Sequence, residues 1–271
     1  MDYAYKYGEH LVRGTTTVLQ TGLNVTNRWN KINGSIEYGI TNRFTIGADI
    51  PVSFNAREEG YKKNYYTGSG WGDVTVKGSY WLKRYDPRGW NFYVMPSLSI
   101  PNGSDAERDA NGGWKKPYIV PGSGQWSPGL TAGFQKGFFM DQGTAKIHIS
   151  ANIGRLWTLG KNDAGYDSSD AWFGSAGLNY IPGHFGKDSE RYFGFGVYIT
   201  EVRIAGWDTR NDVPVSNTGG KWFDIIPAVF FTPDNGRFTA SFSLAHPVYV
   251  RVHSLQTTQS LSYSFGLAHR F

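Results

Sequence analysis

The chain has 271 residues, and its mean hydropathy of −0.42 is too polar for a bundle of membrane-spanning helices. Its apolar runs are shorter than the ~18 residues that a spanning helix needs. The 27 Lys and Arg residues outnumber the 22 Asp and Glu residues, but they are scattered singly, so the basic stripe of a nucleic-acid-binding protein is missing. The absence of cysteine excludes disulfides, thiolate metal sites and covalently attached haem.

The N-terminal segment, residues 1–14, precedes the first clear strand pattern. It lacks a basic-then-apolar leader, so we expect a mature protein with an added Met1. We interpret the segment as a periplasmic tail or a plug of the lumen, with extension of a strand as the alternative. The same alternating pattern then continues from Thr15 to Phe271 without a linker, which predicts a single barrel domain over residues 15–271.

The main signal along the chain is a period of two, which places alternate side chains on opposite faces of a β-strand. In the clearest segments, large apolar residues occupy one face and small polar or charged residues occupy the other. These segments are residues 44–55, 73–83, 146–153, 238–244 and 261–271. Helical spacing fits none of them, so the sequence predicts an all-β protein.

The polar face indicates which solvent surrounds the strands. A soluble barrel or sandwich fills its core with large apolar side chains. Here the face opposite Tyr263 and Phe265 carries Ser262, Ser264 and Gly266, which are too small and too polar to pack a core. The apolar face must therefore point outward into lipid, and the polar face must surround an aqueous interior.

The connections between predicted strands alternate between short and long, as in outer-membrane barrels with periplasmic turns and external loops. The short connections are residues 42–43, 86–89, 141–143, 182–190 and 234–237. The long ones are residues 56–70, 102–126, 160–168, 207–220 and 251–257. This pattern predicts an antiparallel up-and-down transmembrane β-barrel of about twelve strands with periplasmic N- and C-termini.

The ten tryptophans lie near predicted strand ends, where they would form girdles at the two membrane interfaces. The C-terminal Phe271 resembles the signal that directs outer-membrane barrels to their assembly machinery. Both features favour the bacterial outer membrane as the location.

Two stretches also resemble a known family. These are Gly70-Trp-Gly-Asp-Val-Thr-Val-Lys-Gly-Ser-Tyr-Trp-Leu82, followed by Val94-Met-Pro-Ser-Leu-Ser-Ile-Pro-Asn-Gly103. They resemble the outer-membrane transporter family named for the meta-pathway of phenol degradation. Gly72 and Asp73 match a Gly-Asp that opens a strand, and Pro101 and Gly103 match a Pro-x-Gly that ends the next one. The tight turn over residues 38–43 also matches. The resemblance implies a barrel and uptake of small, aromatic solutes.

Because alternate residues of a strand occupy opposite faces, the position of each charged residue along its strand predicts a set that lines the lumen. They are Lys31, Glu37, Asp49, Asp73, Lys77, Lys83, Lys146, His148, Asp224 and Arg270. One interpretation is that they set conductance and ion preference. The other is that they pair across strands and brace the wall, because their signs are mixed. Glu37 and Asp49 would be directly opposite in one register and separated in another.

Two further patterns contain residue types that can support catalysis or metal binding. His148, Ser150 and Asn152 share a strand face, but it is the luminal one, so we expect a hydrated histidine and no catalysis. In the stretch 102–126, Asp105, Glu107 and Asp109 lack a glycine-pivoted calcium loop. We interpret that stretch as a solvated loop, with folding into the lumen as the alternative. No metal or other cofactor is predicted.

The sequence thus predicts an outer-membrane channel through which small solutes, aromatic or anionic, diffuse passively along a charged lumen. The expected surroundings are outer-membrane lipid and lipopolysaccharide, without nucleic acid. The alternative is a structural barrel, either a sleeve or a docking scaffold for a partner protein in an outer-membrane complex. An enzyme is not expected.

Overall fold

The computed structural model describes residues 1–8, 10–18, 25–59, 64–83, 86, 89–104, 120–140, 145–182, 192–215, 218–233, 237–258 and 260–270. These residues form 18 strands. The strands are β1 Asp2–Gly8, β2 His10–Gly14, β3 Thr16–Val18, β4 Val25–Gly39, β5 Phe44–Glu59, β6 Asn64–Trp71, β7 Val74–Trp81, β8 Trp90–Ile100, β9 Ser127–Met140, β10 Ala145–Leu156, β11 Tyr166–Asp167, β12 Ala171–Ile181, β13 Tyr192–Ala205, β14 Thr209–Arg210, β15 Val213–Pro214, β16 Gly220–Thr232, β17 Phe238–Thr258 and β18 Leu261–His269. Within the described residues, no helix is long and apolar enough to cross a bilayer.

Twelve of the strands pair in a closed antiparallel ring. Its order is β1, β4, β5, β7, β8, β9, β10, β12, β13, β16, β17 and β18, and β18 pairs with β1 to close it. Successive wall strands are neighbours, so the barrel runs up and down. The predicted fold class and the predicted strand number are both confirmed.

The N-terminal strand corrects the boundary drawn at residue 14. Asp2–Gly8 pairs with β18 on one side and with β4 on the other, so these residues belong to the wall and are not a tail or plug. The Met1 ammonium donates to the Leu267 carbonyl at 2.7 Å, which attaches the first residue to β18. Tyr3, Tyr5 and Tyr7 alternate with Asp2, Ala4 and Lys6, and this period of two is the sequence signal for β1 that the boundary at residue 14 overlooked.

The two ends of the barrel differ. One end, here named the short-turn end, carries the connection from Ile40 to Arg43, the other short connections and both chain termini. The opposite end, named the long-loop end, carries the longer connections. Two predicted loops are shorter than expected. Val52–Glu59 of β5 pairs with Asn64–Trp71 of β6, and residues 251–257 lie within β17, so most of 56–70 and all of 251–257 are strand.

The outer face is apolar, as predicted. Phe242 and Phe265 are directly opposite on neighbouring strands and are 41% and 45% exposed. On the other face of the same two strands, the hydroxyls of Ser243 and Ser264 hydrogen-bond to each other at 2.6 Å. Large side chains therefore surround the barrel while small polar ones bond across its interior, which is the arrangement that a hydrocarbon solvent requires.

The inner face also carries tyrosine rings. Tyr93 lies over Gly133 so closely that an added Cβ at Gly133 would meet the Tyr93 ring at 2.6 Å. Tyr198 covers Gly177 and Gly196 in the same way. Because glycine has no side chain, a ring can lie flat against the wall there. Gly133, Gly177 and Gly196 are thus packing surfaces for these rings.

We predict that Gly133→Val destabilises the folded barrel by about 1–3 kcal/mol, because the new side chain must displace the Tyr93 ring. The measurement is urea-induced unfolding in detergent micelles, followed by electrophoretic mobility. Gly39→Val is the matched control, since no atom lies within 4 Å of an added Cβ at Gly39. Equal stability of the two variants would contradict the proposed packing of the ring on the glycine.

Candidate functional site

A three-residue charge cluster lies on the inner face near the short-turn end. The Lys77 ammonium lies 2.8 Å from Glu37 Oε1 and 3.2 Å from Asp49 Oδ1. Lys77 is largely enclosed, with 20% of its side chain exposed, while the Glu37 side chain is 56% exposed. The cluster carries one positive and two negative charges, so its net charge is negative.

Strand register explains how the cluster assembles. Asp49 is opposite Ser35, and Glu37 is opposite Gly47, so the two carboxylates are offset by two residues along neighbouring strands. Lys77 on β7 is also opposite Gly47. An added Cβ at Gly47 would meet the Glu37 side chain at 2.9 Å and Lys77 at 3.2 Å, so only glycine leaves room for the ion pairs to cross β5. The Ser35 hydroxyl donates to Asp49 at 2.7 Å.

The other predicted pore-lining residues are dispersed around the barrel. His148 on β10 is partly buried beside Asn179 of β12, and Asp224 is partly buried on β16 next to a register shift. Lys31 is exposed on β4, and the Lys146 side chain lies outside the described residues. Lys83 and Arg270 are exposed beyond the ends of their strands at the short-turn end. That these residues line an aqueous pore stays a prediction.

Asp73 has structural contacts that its parity did not indicate. Its carboxylate accepts hydrogen bonds from the Gly103 amide at 3.0 Å, the Ser123 amide at 2.7 Å and the Ser123 hydroxyl at 2.6 Å. An added Cβ at Gly103 would meet the Gly72 backbone at 2.6 Å, so the two glycines allow the chains to approach. The Gly-Asp and Pro-x-Gly motifs thus join the start of β7 to the loop that follows β8.

The same loop reaches the inner side of the wall at its described ends. An added Cβ at Gly72 would meet Pro51 and the Pro121 carbonyl, both at 3.0 Å. Pro51 is two residues from Asp49 on β5, so both occupy the inner face. Because Pro121 and Pro51 approach the same side of Gly72, Pro121 also lies on the luminal side of the wall. Residues 105–119, with the acidic residues Asp105, Glu107 and Asp109, lie outside the described residues.

Within the described residues, Asn152 does not hydrogen-bond to His148 or to Ser150. The Asn152 amide donates to the Ser175 hydroxyl at 2.6 Å, across to β12. Ser150 is opposite Gly177, over which Tyr198 lies. The contacts of Asn152 therefore brace the wall between β10 and β12.

A ridge of hydrogen-bonded loops stands at the long-loop end. We name it the loop ridge and define it as residues 120–126, 157–170 and 205–219, as far as they are described. Its centre is Gln125, which is 1% exposed. The Gln125 amide donates to the Tyr166 carbonyl and to Asp167, each at 3.1 Å, and its oxygen accepts from the Ser168 amide at 3.1 Å. One buried side chain therefore joins two loops.

Asp208 connects the third loop to the ridge. It accepts from the Tyr166 hydroxyl and, at 2.9 Å, from the Ser169 amide. Burial raises the pKa of the Tyr166 phenol well above its usual range, and the hydrogen bond to Asp208 adds to that effect. Tyr166 therefore remains a neutral donor. Tyr166 belongs to β11, which pairs with β14, and β14 pairs with β15.

Sequence reasoning missed Gln125, Tyr166 and Asp208. All three lie in segments that read only as polar loops, and none follows a strand period. The one available signal was the clustering of turn residues with isolated aromatics in the predicted loops 160–168 and 207–220, which is weak evidence of a folded loop.

Comparison with known proteins identifies the fold. No protein-family model and no curated protein matches the sequence. The COG4313 outer membrane channel from Pseudomonas putida F1 has a similar crystal structure, with a TM-score of 0.69, 11% identity, and coverage of 100% of this chain and 93% of that chain. The β domain of the Bordetella autotransporter BrkA is similar with a TM-score of 0.51, 11% identity, and coverage of 100% and 98%. Both neighbours are outer-membrane β-barrels, and this chain has their fold.

Proposed function

We propose that the chain resides in a bacterial outer membrane and forms a channel for passive diffusion of small solutes. The observation that carries this proposal is the closed ring of twelve antiparallel strands with an apolar outer face and a polar inner face. A closed ring satisfies every wall strand's backbone hydrogen bonds without water, and the polar interior provides a hydrated route. The channel structure among the neighbours supports the same role.

The inner face supports a lumen of mixed character. The cluster of Lys77, Glu37 and Asp49 is net negative, so it does not favour anions at its own level. The rings of Tyr93 and Tyr198 lie on the inner wall, and aromatic rings contact planar apolar solutes favourably. We therefore extend the proposal to small aromatic solutes rather than to anions. We propose that the remaining predicted pore-lining residues also line this lumen.

We expect the purified, refolded barrel to conduct ions in planar bilayers in single, discrete steps. The physical reason is the polar inner face of the closed ring, which hydrates the interior. The measurement is single-channel current in symmetric KCl, with heat-modifiable migration confirming that the same preparation is folded. Folded protein that passes no current would contradict the channel and favour a structural barrel.

We expect Lys77→Ala to raise the preference for cations severalfold, since Glu37 and Asp49 lose their neutralising partner. The double variant Glu37→Gln with Asp49→Asn should shift selectivity toward anions. The measurement is the reversal potential in a KCl gradient. Lys161→Ala serves as the control, because Lys161 pairs with Asp212 in an exposed loop. A reversal potential that is unchanged in both cluster variants would show that the cluster does not face the ion path.

We also propose that the loop ridge holds the mouth of the channel in one arrangement. Gln125→Ala removes the side chain that joins two loops and leaves buried partners unpaired, at a cost of about 1–3 kcal/mol. We expect faster proteolysis of residues 157–170 and more current noise, with the barrel itself still folded. Lys161→Ala is again the control, because an exposed ion pair contributes little. Identical cleavage rates would contradict a bracing role for Gln125.

A further inference from the structure

The outer face at the long-loop end carries a row of residues at one level of the wall. Register places Arg155 opposite Trp172, Trp172 opposite Ile204, Ile204 opposite Lys221, and Lys221 opposite Arg251. Trp172 is 47% exposed and shares its face with exposed apolar residues below it. Tryptophan with cationic residues is typical of a membrane interface. This row therefore marks the level of lipid headgroups in the outer leaflet.

Two cations in the row face each other without a counter-charge. Lys221 and Arg251 are cross-strand partners, and both are exposed. Like charges directly opposite on an antiparallel pair are destabilising. Neither side chain has a hydrogen bond or ion pair within the described part of the chain. Arg155, by contrast, is paired with Asp170 at 2.8 Å.

Asp208, an acidic residue of the loop ridge, is already engaged in hydrogen bonds within the loops. Asp208 follows Trp207, and its two oxygens accept from Tyr166 and Ser169. Trp207 is 43% exposed and stacks on the exposed His253 ring, with centroids 5.1 Å apart. The two cations are thus flanked by an aromatic pair and remain open to an anion from outside the chain.

An apolar niche lies next to the cations on the membrane side. β13 contains one extra residue relative to both neighbours between Thr200 and Arg203, a β-bulge that bends the strand there. The niche has a volume of about 440 Å³, and its lining includes Ile153, Trp172, Ile199 and Phe223. Phe223 is two residues from Lys221 on the same strand face. Ile153 and Ile199 are 59% and 44% exposed, so the niche opens to the lipid side.

We propose that this surface binds a phosphorylated lipid of the outer leaflet, namely lipopolysaccharide. Its phosphate lies between Lys221 and Arg251, and one acyl chain occupies the niche lined by Trp172 and Phe223. The anion relieves the repulsion between the cations, and the acyl chain fills the apolar niche next to the bulge in β13. Charge complementarity identifies the headgroup, and the adjacent niche selects a lipid over a free phosphate ion. The site rests on the proposed outer-membrane location, but it does not depend on conduction through the lumen.

The test is native mass spectrometry of the detergent-solubilised barrel with added diphosphorylated lipid A. The wild type should retain the lipid through mild activation. The double variant Lys221→Ala with Arg251→Ala should bind about 25-fold more weakly, since each cation near a charged lipid surface contributes about fivefold. Exchange of the cations, Lys221→Arg with Arg251→Lys, should retain binding. Retention by the alanine variant equal to wild type would overturn the headgroup site.

A second arm tests the niche. Ala176→Phe adds a ring to the niche and should reduce lipid A binding, while Ala48→Phe on the opposite part of the wall is the matched control. Equal lipid retention by both variants would overturn acyl-chain binding in the niche.

Inorganic phosphate and dephosphorylated lipid A distinguish a site for free phosphate from a site for a phosphorylated lipid. Displacement of lipid A by millimolar phosphate alone, or equal binding of the dephosphorylated lipid, would overturn the proposal. Arg43→Ala with Lys161→Ala controls for total charge.

Discussion

Hydrogen bonding of the backbone in lipid is the constraint on which this structure depends. A strand edge cannot be exposed to hydrocarbon, because water is absent there and an unpaired amide or carbonyl costs several kcal/mol. The chain meets this requirement by closing its ring through β1 and β18. That closure gives β1 a hydrogen-bonded neighbour on each side, β18 and β4, so neither edge of the first strand is left unpaired.

Closure also creates two faces with different solvents, and the side chains follow. Outward residues such as Phe242 and Phe265 meet lipid, while Ser243 and Ser264 satisfy each other inside. A ring of twelve strands encloses limited space, so large side chains fit inside only where small residues lie next to them. Glycines provide this room at two places. They receive the Tyr93 ring at Gly133, and they let three charged side chains meet across Gly47.

The loops at the long-loop end are held in one arrangement by polar side chains. Asp73 uses its carboxylate to hold a loop against the wall, and Gln125 uses a buried amide to connect that loop to the next. A polar side chain that is fully enclosed must have all its hydrogen bonds made, so these contacts specify one loop arrangement. On the outside, the niche beside Lys221 lies next to the extra residue in β13. Both features are irregularities placed on a regular ring.

The sequence by itself determined the strand period, the face that meets lipid, the number of strands and the alternation of short and long connections. These follow from local chemistry, because adjacent residues in a strand must point to opposite solvents. Only the tertiary structure decided that Lys77 bridges Glu37 and Asp49, that Asp73 anchors a loop, and that residues 2–8 close the wall. Register and closure join residues far apart in the chain, and no local pattern encodes the distance between them.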